Sequence, residues 1–137
     1  MYYIARPVAM KVELFVLCDG AYNYGGRLTL VGVLDFVKTH RLPLIKNIGI
    51  GIRISCSKDE RNNDIVLRIT DDSGTAVIPD LLVNLSQQSF AASPKSTQEK
   101  ISIGININGV LFKKKGKVEA VLFSQDQQVA SYEFFVC

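Results

Sequence analysis

Residues 48–55 read IGIGIRIS, with isoleucine at 48, 50, 52 and 54 and Gly49, Gly51, Arg53 and Ser55 between them. Side chains alternate across a strand, so this spacing puts all four isoleucines on one face. A second ladder stands at 101–107, where Ile101, Ile103, Ile105 and Ile107 alternate with Ser102, Gly104 and Asn106. Two such ladders bury their isoleucines against each other from opposite sheets, or side by side in one. Either arrangement predicts an antiparallel β core.

Before the first ladder, KVELFVLC (11–18) reads as a strand. Val12, Leu14, Val16 and Cys18 make one face, and Phe15 and Leu17 make the other apolar too. DGAYNYGGR (19–27) reads as a loop, because Asp19-Gly20 and Gly25-Gly26 are turn dipeptides. A long strand is expected over 28–39, with Gly32 marking a bulge or a close backbone approach. His40-Arg41-Leu42-Pro43-Leu44 then makes a corner, since Pro43 has no amide to give a ladder.

After the first ladder, SKDERNN (57–63) is a polar turn. A strand follows at 64–70 with Ile65, Leu67 and Ile69 inward. Asp71-Asp72-Ser73-Gly74 turns the chain into a short strand at 75–78, which Pro79 ends, and LLVNL (81–85) makes another short strand. SQQSFAASPKSTQ (86–98) reads as a long connection with room for one helical turn. The second ladder spans 99–108 and is followed by an apolar triplet and a lysine turn (109–117). A closing hairpin pairs 118–124 with 129–136 through Gln125-Asp126-Gln127-Gln128. About eight strands, no periodic helix and no βαβ spacing predict an all-β, two-sheet antiparallel sandwich; a closed antiparallel barrel is the alternative.

The chain has 137 residues, 47% hydrophobic and 21% charged, which fits one globular domain. A chain of this size buries roughly two-thirds of its unfolded surface. The domain is expected over 11–137, with 1–10 as an N-terminal extension or arm. MYYIARPVA (1–9) lacks the basic start and apolar run of a secretory signal. It is either an extension upstream of a start at Met10 or an arm that packs as an extra edge strand. No apolar run approaches the roughly 18–20 residues that span a membrane.

The net charge of +3 is outweighed by the four lysines at 113, 114, 115 and 117. The rest of the surface is near balance, which argues against nucleic acid as a partner. The lysine turn reads as a charged hairpin tip that discourages edge pairing, with phosphate or an acidic partner as the alternative.

Cys18, Cys56 and Cys137 show no metal-ligand spacing, so no zinc site is expected. Buried, reduced thiols suit a cytoplasmic location, although spacing leaves a disulfide open. His40 is the single histidine. It lies beside Arg41 in the expected corner, and a surface-loop histidine is the plainer reading. Asp19 and Asp35 lie closest to apolar sequence. They could form an acid–base pair, but a turn cap and a local polar contact account for them more simply. The acidic turns at 59–64 and 71–72 lack calcium-loop spacing. With no phosphate-loop, dinucleotide or nucleophile-elbow motif, no catalytic residue, metal or cofactor is assigned.

Two candidate binding features remain. The outward residues of the ladders, among them Arg53, Ser55, Asn106 and Asn108, would form a flat face of small and hydrogen-bonding groups if the two strands are neighbours. Such a face could take a partner strand, an aromatic side chain or a sugar. Its plain alternative is a solvent-facing sheet. The second feature is the loop carrying Tyr22 and Tyr24, which could hold a small ligand or saccharide.

Leu17-Cys18-Asp19, followed by Gly26-Arg27-Leu28-Thr29-Leu30-Val31-Gly32-Val33-Leu34-Asp35, resembles a family of small uncharacterised bacterial proteins that open with "LCD" and then "GKL…G.FD". Asp72-Ser73-Gly74 through Ile78-Pro79 is similar to that family's "DE.G…IP" turn, and 116–136 to its closing hairpin. The likeness covers the chain from Lys11 onward and not residues 1–9. It implies a bacterial, cytoplasmic β-sandwich and carries no activity with it. The expected role is therefore a non-enzymatic binding or protein-interaction module, whose partner is another protein or a second copy. A small-ligand or saccharide-binding sandwich is the alternative.

Overall fold

A computed structural model of the chain describes residues 10–57, 63–88, 90–92 and 98–137. Of the arm expected at 1–10, residues 1–9 lie outside them, as does most of the acidic turn at 59–64; Met10 opens the first strand and packs in the core. Among the described residues there are ten strands: β1 (Met10–Tyr24), β2 (Arg27–Val33), β3 (Phe36–Val37), β4 (Leu44–Ser57), β5 (Asp64–Thr70), β6 (Leu81–Asn84), β7 (Phe90–Ala92), β8 (Gln98–Phe112), β9 (Gly116–Ser124) and β10 (Gln127–Val136). They form two five-stranded sheets, ordered β2-β1-β4-β8-β7 and β3-β10-β9-β5-β6. Every pairing is antiparallel except β3 with β10. The architecture is the expected sandwich; the sheets do not close into a barrel.

The two isoleucine ladders are neighbours in the first sheet. Ile48, Ile50, Ile52 and Ile54 stand opposite Ile107, Ile105, Ile103 and Ile101. Their inner face meets Ile65, Leu67 and Ile69 of β5, Ala120 and Leu122 of β9 and Phe134 of β10 in one core. Phe134 meets the Phe112 ring edge-on at 5.9 Å, a favoured geometry for aromatic pairs. Burying one such isoleucine stabilises the fold by roughly 1.5–3 kcal/mol.

Several strands differ from the sequence-based expectation. In β1 the ladder slips between Val12 and Leu14. Such a bulge places one extra residue in the strand and reverses the side-chain phase. Val12 therefore packs on the core, but beyond the bulge Phe15 and Leu17 do so, not Leu14 and Val16. The stretch 19–27 is not a loop. β1 continues to Tyr24 and turns tightly at Gly25 and Gly26, both at positive φ, into β2. The long strand expected over 28–39 is two strands in different sheets, since β2 ends at Val33 and β3 at 36–37 pairs with β10. The crossing is pinned where Leu34 N–H donates to Leu17 O at 2.9 Å and the Tyr132 hydroxyl donates to Leu34 O at 2.5 Å. The corner around His40 is present, and its Leu42–Pro43 bond is cis.

The strand expected at 75–78 reduces to an isolated bridge between Thr70 and Ala76. Asp71 organises that stretch locally: its Oδ1 accepts from Ser73 N–H, Ser73 Oγ–H and Thr75 N–H at 2.9, 2.7 and 3.0 Å. Side chains that capture backbone amides in this way compete with ladder formation. Within 86–98, Leu85–Gln87 forms one 3-10 turn and Phe90–Ala92 adds β7 to the edge of β8. β8 and β9 run further towards the lysine turn than expected, to Phe112 and from Gly116.

Candidate functional site: the outer face of the β1–β2 hairpin

The geometry of the candidate surface follows from the glycines of the ladders. Beyond Cys18, β1 leaves β4 and pairs only with β2. The hairpin then lies across the outer face of β4 and β8. A Cβ on Gly49 would stand 2.7 Å from the Gly20 backbone, and one on Gly104 would stand 2.8 Å from the Ala21 carbonyl oxygen. Leu30 of β2 occupies the space above Gly51. Only residues without a side chain allow two backbone layers to approach so closely.

Asn106 fastens this contact. Its Oδ1 accepts from Ala21 N–H at 3.0 Å and its Nδ2 donates to Ala21 O at 2.8 Å, so one side-chain amide takes the place of a strand partner. Asn23 Nδ2 donates to Ser102 O at 2.6 Å, and Asn23 Oδ1 accepts from Gly26 N–H at 2.9 Å. The flat face read from the sequence is thus largely occupied by the chain's own hairpin. Asn106 belongs to that internal contact, and Ser55 and Ser102 are buried. Arg53 turns aside to Glu13, 3.4 Å away, which also faces Lys100 at 3.4 Å. Asn108 remains exposed near the end of the ladder.

Covering one face of the hairpin exposes the other. Directly opposed residues of an antiparallel pair point the same way. Tyr22 stands opposite Thr29, Gly20 opposite Val31, and Cys18 opposite Val33. The solvent side therefore carries Tyr22 and Tyr24 beside Val31 and Val33, at 43%, 65%, 53% and 52% exposure. The two tyrosine rings lie 6.2 Å apart and within 25° of parallel. The sequence singled out both tyrosines, but as loop residues; they lie on a strand. Their valine neighbours were missed, because the period of β2 does not say which of its two apolar faces is covered.

The other sequence candidates are dispersed. His40 is exposed in its corner. Asp19 bonds Lys46 at 2.6 Å and fills the space at Gly32, whose φ of +67° admits no ordinary side chain. Asp35 is exposed, and its carbonyl accepts from Phe135 N–H. Lys114 donates to Ser73 Oγ at 3.0 Å, and Lys117 lies 4.0 Å from Glu133. Cys18, Cys56 and Cys137 are not joined in a disulfide, and the first two are buried. Burial raises the Cys18 thiol above its ordinary value, which keeps it protonated and poorly nucleophilic. Among the described residues no group of three or more His, Cys, Asp or Glu stands where it could hold a metal, and no helix is long and apolar enough to cross a membrane.

Clefts also open elsewhere among the described residues. One of about 470 Å³ lies on the outer face of the second sheet, among Asp64, Val66, Arg68, Asp80, Phe123 and the β9–β10 turn. There Arg68 donates to both carboxylate oxygens of Asp80 at 3.2 and 3.0 Å and lies 5.0 Å over the Phe123 ring. A smaller one of about 180 Å³ lies between Asp71 and the lysine turn. The third, about 330 Å³, follows the open side of the sandwich between β6 and β8. Neither tyrosine of the hairpin lines any of the three.

Two solved structures are similar in outline. An immunoglobulin-like protein from Pseudomonas aeruginosa superposes with a TM-score of 0.47 at 11% identity, covering 93% of this chain and 96% of that one. The Pseudomonas fluorescens alkylpurine DNA glycosylase AlkC, solved bound to DNA containing an abasic site analog, gives a TM-score of 0.44 at 8% identity. This chain is covered over 96% of its length there but spans only 31% of the glycosylase chain. Among curated protein sequences nothing matches. A family model does match, over residues 13–137, which is nearly the whole sandwich and the hairpin with it. The chain belongs to the family of unknown function DUF6941.

Proposed function

We propose that this chain is a non-enzymatic interaction module that docks a partner protein on the outer face of the β1–β2 hairpin. One observation carries the proposal: Tyr22, Tyr24, Val31 and Val33 share one face and are each 43–65% exposed, on a hairpin whose other face is bonded to the sheet. Contiguous exposed apolar groups mark contact surfaces more often than scattered ones do. Tyrosine is favoured there, since its ring supplies apolar area at little entropy cost and its hydroxyl stays wet. The Asn106 amide and the ladder glycines hold the surface in shape before any partner arrives, which lowers the cost of binding. Reduced, buried Cys18 and Cys56 favour a cytoplasmic setting.

The test is a photo-reactive phenylalanine analogue placed at Tyr24 or Val31 in the native host, with Asp64 on the opposite sheet as the control. A discrete protein adduct is expected from Tyr24 and Val31, absent from Asp64 and lost when Val33→Asp is added. Equal adducts from all three positions refute the proposal. A second reading takes the same tyrosine pair as a saccharide platform, because near-parallel exposed rings can stack on a sugar. It requires binding on a glycan array that Tyr24→Ala abolishes.

A further inference from the structure

The burial of the second ladder changes along its length. Ile101 and Ile103 are buried to 0% and 3% exposure, whereas Ile105 and Ile107 are only half-buried although they pack on the same core. Among the described residues, β7 pairs with Glu99, Lys100 and Ile101. From Ser102 onward, β8 has a single sheet neighbour among the described residues, β4. Asn23 caps the Ser102 carbonyl. Beyond it the strand has no further sheet partner among the described residues, and the 330 Å³ groove lies between Ile103, Gly104 and Ile105 on one side and Leu81, Leu82, Val83, Asn84 and Gln88 on the other.

Natural edge strands are guarded by lysine, proline, inward charges or a covering segment. Residues 101–112, ISIGININGVLF, hold no charge and no proline. The groove lining holds no charge either, in a chain with 21% charged residues. The occupant that fits is therefore an extended, uncharged segment with alternating apolar residues. Its backbone would complete the ladder, and its side chains would finish burying Ile105 and Ile107. β8 itself has this composition and presents it at an edge. Two antiparallel copies of one strand are related by a two-fold axis, so the edge is self-complementary.

We infer that two copies of this chain associate edge to edge through β8, residues 103–108, to form a continuous sheet across a two-fold axis. This edge adjoins the seat of the hairpin at Gly104 and Asn106, but it does not use the exposed tyrosine face. The test is sedimentation velocity of the full chain, with amide hydrogen exchange of the wild type. A concentration-dependent dimer is expected below about 100 µM, with amides of 103–108 exchanging more slowly in the dimer than in the diluted monomer. Ile105→Lys places an inward charge on the edge and should weaken the dimer by at least about tenfold. Leu82→Asp should do the same from the groove's other rim. Leu82 is 64% exposed, so this second variant keeps its folding transition if Ile105→Lys loses it. A monomer at about 100 µM overturns the inference. So does a dimer that both substitutions leave intact, or one in which the 103–108 amides exchange as in the monomer. Recovery of a monomer carrying another protein's strand on this edge also overturns it.

Discussion

Gly49→Ala is the most direct probe of the hairpin's seat. The added Cβ would stand 2.7 Å from both the carbonyl carbon and the Cα of Gly20, and 2.8 Å from the Ala21 nitrogen. These are backbone atoms of a paired strand, so no rotamer change relieves the contact and the hairpin must lift. Overpacking of this kind costs roughly 1–3 kcal/mol. Lifting also stretches the two Asn106 bonds to Ala21, each worth about 1 kcal/mol. Removing a glycine returns only about 0.4–1 kcal/mol through the unfolded chain. The net loss should be about 2 kcal/mol, which displaces a urea midpoint by about 1 M for a slope near 2 kcal/mol/M. Gly51→Ala is the internal comparison, because its Cβ meets a methyl group of the Leu30 side chain, which can swing aside. Equilibrium urea unfolding followed by far-ultraviolet circular dichroism gives both midpoints. The expected order is wild type, then Gly51→Ala, then Gly49→Ala. A Gly49→Ala midpoint at or above that of wild type would refute the close seat of the hairpin and the preformed tyrosine face built on it.

Two further outcomes follow from local geometry. Gln125 and Asp126 turn β9 into β10 with φ of +51° and +62°, a conformation that suits Asn-Gly far better. Gln125→Asn combined with Asp126→Gly should raise the thermal midpoint by an amount equivalent to roughly 0.5–1 kcal/mol; scanning calorimetry reads it, and a lower midpoint contradicts the turn assignment. The Asp71 carboxyl is held below its ordinary value of 3.8, chiefly by the Ser73 hydroxyl, with backbone amides and Lys114 adding to the effect. A depressed carboxyl contributes its stabilisation above the ordinary value and loses it as pH falls through the lowered one. The amide resonances of Ser73 and Thr75 should therefore hold steady from neutral pH to about pH 4 and move together below it. Movement centred above pH 4 would show that the turn is not held by the ionised group.

How far the sequence alone reaches is clear from particular residues. The period-two ladders at 48–54 and 101–107 determined the all-β class and the inward face of two central strands, because alternation is a local property of an extended chain. Ile65, Leu67 and Ile69 were legible for the same reason. The tight turns at Gly25-Gly26 and Asp72-Ser73-Gly74 were legible too, since few residues tolerate positive φ.

Phase, partnership and covering are different, because each depends on atoms distant in sequence. The bulge after Val12 reversed the apparent core face of β1, in a strand apolar on both sides where periodicity is silent. A glycine in a ladder reads equally well as an exposed platform or as a site of backbone contact. Only the packed hairpin made Gly49 and Gly104 the latter and bound Asn106 to Ala21. In the same way, the sequence marked Tyr22 and Tyr24, but their exposure beside Val31 and Val33 arises only because Leu28 and Leu30 lie on the other side of the hairpin, where Leu30 meets Gly51. The single sheet neighbour of β8 beyond Ser102 among the described residues likewise follows from which segments pair with it, which no local propensity encodes. Local side-chain chemistry thus determined which segments are strands and which side of most is apolar; the tertiary structure decided which surfaces are covered, because covering is a contest among segments far apart in the chain.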